Sequence, residues 1–191
     1  MLYDETIKGN LELKKGNKIA AKRYHDLAAE LDDGNLEFKV RQAIVLADLG
    51  QMSKAVDILK QARSEDRLCK HYRVHLWLAR MYAQMEKFVL ASSTLETPCY
   101  AAPDLEAEEL AELKSDLGSY YNALAKSLLG SAQMDSNKNP EESLKQGQHA
   151  RKRAIEVVEE AVELKPGDAN MRVKLAQVRK SKNHDNRFSI R

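Results

Sequence analysis

Cys69, His71 and His75 form the stretch whose residue types come nearest to a metal site. Two histidines four apart share a helix face, and their imidazoles with a nearby thiolate are the donors zinc prefers. The sequence offers no fourth ligand at matching spacing, and His75 stands where a packing residue would sit, so no metal is expected here. Arg73, Trp77 and Arg80 offer different chemistry. Seven residues separate the two arginines, which places them on one helix face with the indole between them. A rigid guanidinium fork beside a stacking ring suits a carboxylate-bearing or acidic ligand. The competing expectation is that both arginines pair with Glu37 or Asp48. Catalytic constellations are missing: there is no phosphate-cradling glycine loop, nucleophile elbow or dinucleotide fingerprint. Acidic pairs such as Glu108-Glu109 and Glu159-Glu160 diverge around a helix and read as solvated surface. We therefore expect neither enzyme nor cofactor, and we expect the glycines to sit at helix ends or turns.

The elements that carry these residues are helical by composition. Gly (8) and Pro (4) are scarce among 191 residues, and aromatics make up only 6%, which leaves the alanine, leucine, lysine and glutamate of a helical chain. No apolar run approaches the roughly 20 residues that span a bilayer. With no apolar segment of a secretory signal at the N-terminus, the expected location is cytoplasmic, with no membrane partner. Two cysteines, Cys69 and Cys99, do not make a disulfide framework. Charge is unevenly spread. From Lys145 to Arg191, 12 Lys and Arg face 6 Asp and Glu, whereas the preceding 144 residues carry 19 against 23. Arg151, Lys152, Arg153, Arg172, Lys174, Arg179 and Lys180 form the candidate basic surface, and nucleic acid phosphate or an acidic protein is its expected partner.

Small residues set a register. Ala21, Ala55 and Ala91 lie 34 and 36 residues apart, a helix-turn-helix period shorter than that of HEAT or armadillo arrays. Around the third, the spacing is His75-x2-Leu78-Ala79-x2-Tyr82, then Ala91-x3-Leu95, with Trp77, Phe88 and Val89 to fill the seams. Lys8 to Gly16 reads KGN-x3-KKG, Leu117-Gly118-x2-Tyr121 repeats the first-helix pattern, and Ala154-x3-Val158 with Pro166 repeats the second. These motifs resemble the tetratricopeptide family. The resemblance implies an all-α fold, a right-handed α-solenoid of helix-turn-helix repeats, spanning 1–180 as one domain. Its units would be about 2–35, 36–68, 72–98 and a lengthened 104–168, followed by a capping helix over 169–180 and a basic flexible tail over 181–191. Locally, Gly34 is expected to take a positive φ and Asn35 to cap the next helix. Pro98 and Pro103 should break the chain between Thr97 and Pro103. A polar loop is expected over 131–139, and Asn139-Pro140 should start a helix.

In that family the first helices of successive units line a concave groove that grips an extended peptide or a partner helix. Carried onto this chain, the groove residues are Asn10, Lys14, Glu37, Val40, Ile44, Asp48, Arg73, Leu76, Trp77, Arg80, Gln84, Ser119 and Asn122. Co-chaperone members clamp a terminal carboxylate through five such positions. Asn10 and Arg73 match that set, while Thr6, Arg41 and Trp77 depart from it, so the clamp is expected to be broken. The resemblance thus implies a non-enzymatic scaffold or adaptor that binds a protein partner within a larger complex.

Overall fold

The computed structural model describes residues 2–66, 71–101, 105–133 and 139–188. Expectations placed on Cys69, on Pro103 and Asp104, on most of the 131–139 loop and on residues 189–191 lie outside these. Among the described residues every regular element is a helix: α1 (Leu2–Lys14), α2 (Lys18–Leu31), α3 (Leu36–Asp48), α4 (Met52–Glu65), α5 (Tyr72–Gln84), α6 (Phe88–Ala101), α7 (Ala107–Ala132), α8 (Pro140–Leu164) and α9 (Ala169–Phe188). The all-α class read from the sequence holds. The chain divides into two compact units, Met1–Met85 and Glu86–Arg191.

In the first unit each helix packs on its sequence neighbour, and α5 also touches α3. Helix starts follow side-chain capping. Asn17 accepts the Ala20 backbone N–H, and Asn35 accepts those of Glu37 and Phe38, satisfying donors a first helical turn leaves orphaned. Gly34 does not take a positive φ; that conformation belongs to Gly16 and Gly50. The alanines that set the register are wholly buried, Ala21 and Ala55 with Ala28, Ala43 and Ala62, and they let Leu59, Val40, Val74 and Leu78 interlock in the core.

Glu86 repeats the 34- and 36-residue spacing of Gly16 and Gly50 and adopts the same left-handed backbone, at φ 59°. A side chain there costs roughly 1–2 kcal/mol, and glycine's extra freedom in the unfolded chain returns part of that. Glu86→Gly is therefore expected to stabilise the protein by about 0.5–1 kcal/mol, read as a higher urea midpoint at unchanged slope.

In the second unit α6 packs on α7, α7 on α8, and α9 against both α8 and α7. Met171 anchors α9 against Ala111 and Ala161. α7 and α8, at 26 and 25 residues, are nearly twice the length of the earlier helices, and glycines bring them together. A Cβ on Gly118 would stand 2.2 Å from Val158 Cγ2, and one on Gly147 would stand 2.8 Å from the Leu129 side chain. Gly9 in α1 plays the same part toward His25. These three glycines correct the expectation that glycine marks only ends and turns. Two boundaries also differ. Pro98 is buried inside α6, which runs on to Ala101; the amide that proline lacks is offset by close packing around the ring. α9 continues to Phe188, past the Lys180 end expected for a capping helix and into the stretch expected to be a flexible tail.

Candidate partner-binding surface

Three helices of the first unit bring charged side chains into one line. Arg41 of α3 donates to the Asn10 side-chain oxygen of α1 at 3.3 Å and lies 2.9 Å from the Glu37 carboxylate one turn earlier. Glu37 is also 3.3 Å from Arg73 of α5. One carboxylate thus serves two guanidiniums, and the line keeps a surplus of positive charge and of N–H donors. The Thr6 hydroxyl and Arg41 Nε, both buried, have no hydrogen-bond partner among the described residues. Beyond this line the Arg80 guanidinium lies over the Trp77 ring, 5.2 Å from its centroid, a contact that holds both flat groups ready to stack.

The expected pairing of Arg73 with Glu37 is present. Lys14, Asp48 and Gln84 are exposed, and the Asp48 carbonyl accepts from Lys18 at 3.1 Å. Val40 and Leu76 are buried at 0% and 2% exposure, which removes them from any groove and places them in the core. Ile44 is half-buried. Arg41 was read from sequence only as a departure from the clamp, yet it ties α1 to α3. Its spacing of four from Glu37 signalled their pairing within α3, since i and i+4 residues face each other on a helix, and carried no signal of the contact with Asn10.

The basic surface is largely consumed internally. Arg151 is 4% exposed and donates to the Asn122 side-chain oxygen; it corrects the surface expectation, because Gly147, Ala150, Arg151, Ala154 and Val158 form the stripe of α8 that is buried. Ser119, meanwhile, donates to the Ser115 carbonyl. Arg153 reaches Glu156 at 3.0 Å and the Tyr100 hydroxyl at 3.3 Å. Lys174 reaches Ser115 Oγ and Asp116, and Arg179 reaches Glu159 at 2.7 Å. Lys152, Arg172 and Lys180 remain exposed.

A polar cluster that sequence reasoning missed joins α6, α7 and α8. Buried Lys114 pairs with Glu160 and lies 4.8 Å from the Tyr100 ring centroid. Tyr121 donates to Glu96, and burial followed by that carboxylate pushes its hydroxyl well above the usual phenol range. Cys99 is free and buried beside them. Burial pushes its thiol up to about 12, against the opposing pull of Lys114, so at neutral pH it is protonated and a poor nucleophile. The seven-residue spacing of Lys114 and Tyr121 puts both on one face of α7, a signal that could have found them.

His71 and His75 do not act as a pair. His71 caps α5 at the solvent edge, where its backbone N–H donates to Asp66 at 2.9 Å. His75 is buried, with Nε2 3.6 Å from the same carboxylate. Among the described residues no group of three or more His, Cys, Asp or Glu is placed to hold a metal ion, and no helix is long and apolar enough to cross a membrane.

No family model matches the sequence, and no curated protein does. Solved structures do. MamA from Desulfovibrio magneticus RS-1, from its residue 41 to the end, is 20% identical with a TM-score of 0.65, over 97% of this chain and 87% of that one. A thermophilic TPR protein of Thermus thermophilus is 18% identical with a TM-score of 0.52, over 93% of this chain and 98% of that one. Human IFIT1, solved as a dimer with m7Gppp-AAAA, is 20% identical with a TM-score of 0.62, over 90% of this chain and 39% of that one.

Proposed function

From the tetratricopeptide fold that this chain shares with those structures, we infer that it is a non-enzymatic interaction scaffold whose first unit grips an acidic segment of a partner protein along α1, α3 and α5. One observation carries this reading: Asn10, Arg41, Glu37 and Arg73 form a continuous polar line across three helices, with two guanidiniums sharing one carboxylate. A partner carboxylate would meet Arg73, which is 42% exposed at its side chain, and would add the acceptor that Glu37 alone cannot supply. Bidentate guanidinium pairing makes such contacts strong and directional. Trp77 and Arg80 extend the surface with stacking area, and Gln84, Lys14 and Asp48 form its polar rim. Asn122 is held by Arg151 and serves the second unit's packing instead.

The alternative occupant is nucleic acid at Lys152, Arg172 and Lys180, which are exposed. The two readings separate in one pull-down from the native cell with partners quantified by mass spectrometry. Arg73→Glu/Arg80→Glu is expected to reduce retention of a protein partner at least tenfold, about 1.4 kcal/mol or more, with Lys152→Glu/Arg172→Glu/Lys180→Glu retaining it. Loss only with the second set, accompanied by salt-dependent RNA retention, would assign the function to the basic helices.

A further inference from the structure

The lengthened α7–α8 hairpin carries a cavity that the groove reading does not use. α6 runs antiparallel to α7: Tyr100 lies at Lys114, Glu96 at Tyr121, and Val89 near Leu124 and Leu128. At its first turn α6 leaves the furrow between α7 and α8 incompletely covered. The result is a cavity of about 420 Å3 lined by Val89, Tyr121, Leu124, Leu128, Lys145, Gln146, His149 and Ala150. Its walls are mainly apolar. Val89 stands 62% exposed at the mouth, next to Leu90 at 45%. Bulky side chains left open in this way forgo the burial that holds the rest of the unit together.

Charge identifies the occupant. No Asp or Glu lines the cavity, and its basic residues are Lys145 and His149, four apart and both exposed on one edge of α8. Lys145 already meets Glu141 at 2.8 Å, but both side chains are largely in water, at 68% and 81% exposure. Such a pair contributes little and yields readily to a better-placed carboxylate. The volume admits one or two bulky side chains, at the lower end of the range of ligand clefts, and is too small for a whole helix.

We propose that this cavity is a second docking site, which takes a leucine, methionine or phenylalanine side chain of an amphipathic partner segment whose carboxylate, one turn away, pairs with Lys145. Nothing in it depends on the Arg73 surface. The extra turns of α7 and α8 acquire a purpose by it, since helices of ordinary length would end before Leu128 and Lys145 could face each other.

The test pans a phage-displayed library of random dodecapeptides on the full chain and measures the synthesised winners by calorimetry. Winners should carry a bulky apolar residue three or four positions from Asp or Glu. Val89→Arg and Lys145→Glu/His149→Glu, both at exposed positions and checked for unchanged thermal melts, should each weaken them at least tenfold. Arg73→Glu/Arg80→Glu should leave them unchanged. No enriched motif, or winners indifferent to Val89→Arg, would overturn the proposal. So would concentration-dependent self-association in sedimentation that Val89→Arg abolishes, which would make a second copy the occupant.

Discussion

Gly118→Leu should destabilise the second unit by about 3 kcal/mol or more, the upper end of what overpacking does. Even a single Cβ at this position would stand 2.2 Å from Val158 Cγ2 and 3.2 Å from the Ala154 carbonyl oxygen. The first contact can relax only if Val158 leaves its rotamer, which β-branching in a helix resists. The second is backbone and cannot move without separating α7 from α8. Gly118→Ala gains roughly 1 kcal/mol of helix propensity, yet the overlap with Val158 should leave it net destabilising by about 1–2 kcal/mol. A double-mutant cycle isolates the cause. In a Val158→Ala background Gly118→Ala should lose most of its destabilisation in urea unfolding, the contact with the Ala154 carbonyl accounting for what remains. If it remains equally destabilising there, close approach to Val158 is not why glycine occupies the position.

Residue types that act through backbone geometry made the early chain legible. Asn35 announces a helix start because a short amide can reach the next turn's N–H groups, and Gly16 and Gly50 mark turns because left-handed backbone excludes most other residues. The buried alanines are legible for a related reason: close helix approach selects small side chains. What could not be read depends on tertiary context. Pro98 locally argues for a break, and only its burial explains why α6 continues. Arg151 looks like surface charge in composition but lies on the small-residue stripe of α8, where Asn122 receives it. The line from Asn10 to Arg73 was visible as separate polar residues, and the exchange between them was not, because Arg41 joins α1 to α3 across 31 positions of sequence. For the cavity at Val89, the length of α7 and α8 was noticeable in sequence, but where α6 stops along them was not.

His25 should make stability fall as the pH drops below neutral. Its side chain is 1% exposed, and neither ring nitrogen has a hydrogen-bond partner among the described residues. Gly9 of α1 lies directly against the ring. Burial lowers its pKa, Arg41 from α3 lowers it further, and Asp26 one residue on opposes both. The native state thus holds the neutral imidazole below the ordinary histidine value near 6.5. Above that pH both folded and unfolded chains carry it neutral, and its contribution to stability is complete. As the pH falls through the unfolded value, the unfolded chain binds a proton that the native chain refuses, so stability declines until the folded pKa is reached. The limiting slope for one such group is about 1.4 kcal/mol per pH unit. Urea midpoints taken between pH 7.5 and 5 should therefore drop more steeply for the wild type than for His25→Leu, which keeps the apolar contact with Gly9 and binds no proton. Because every other titratable group is common to both proteins, the difference between the two curves belongs to His25. Parallel curves would mean that α1 lets water to the ring, and that the α1–α2 hairpin opens at an energy far below global unfolding.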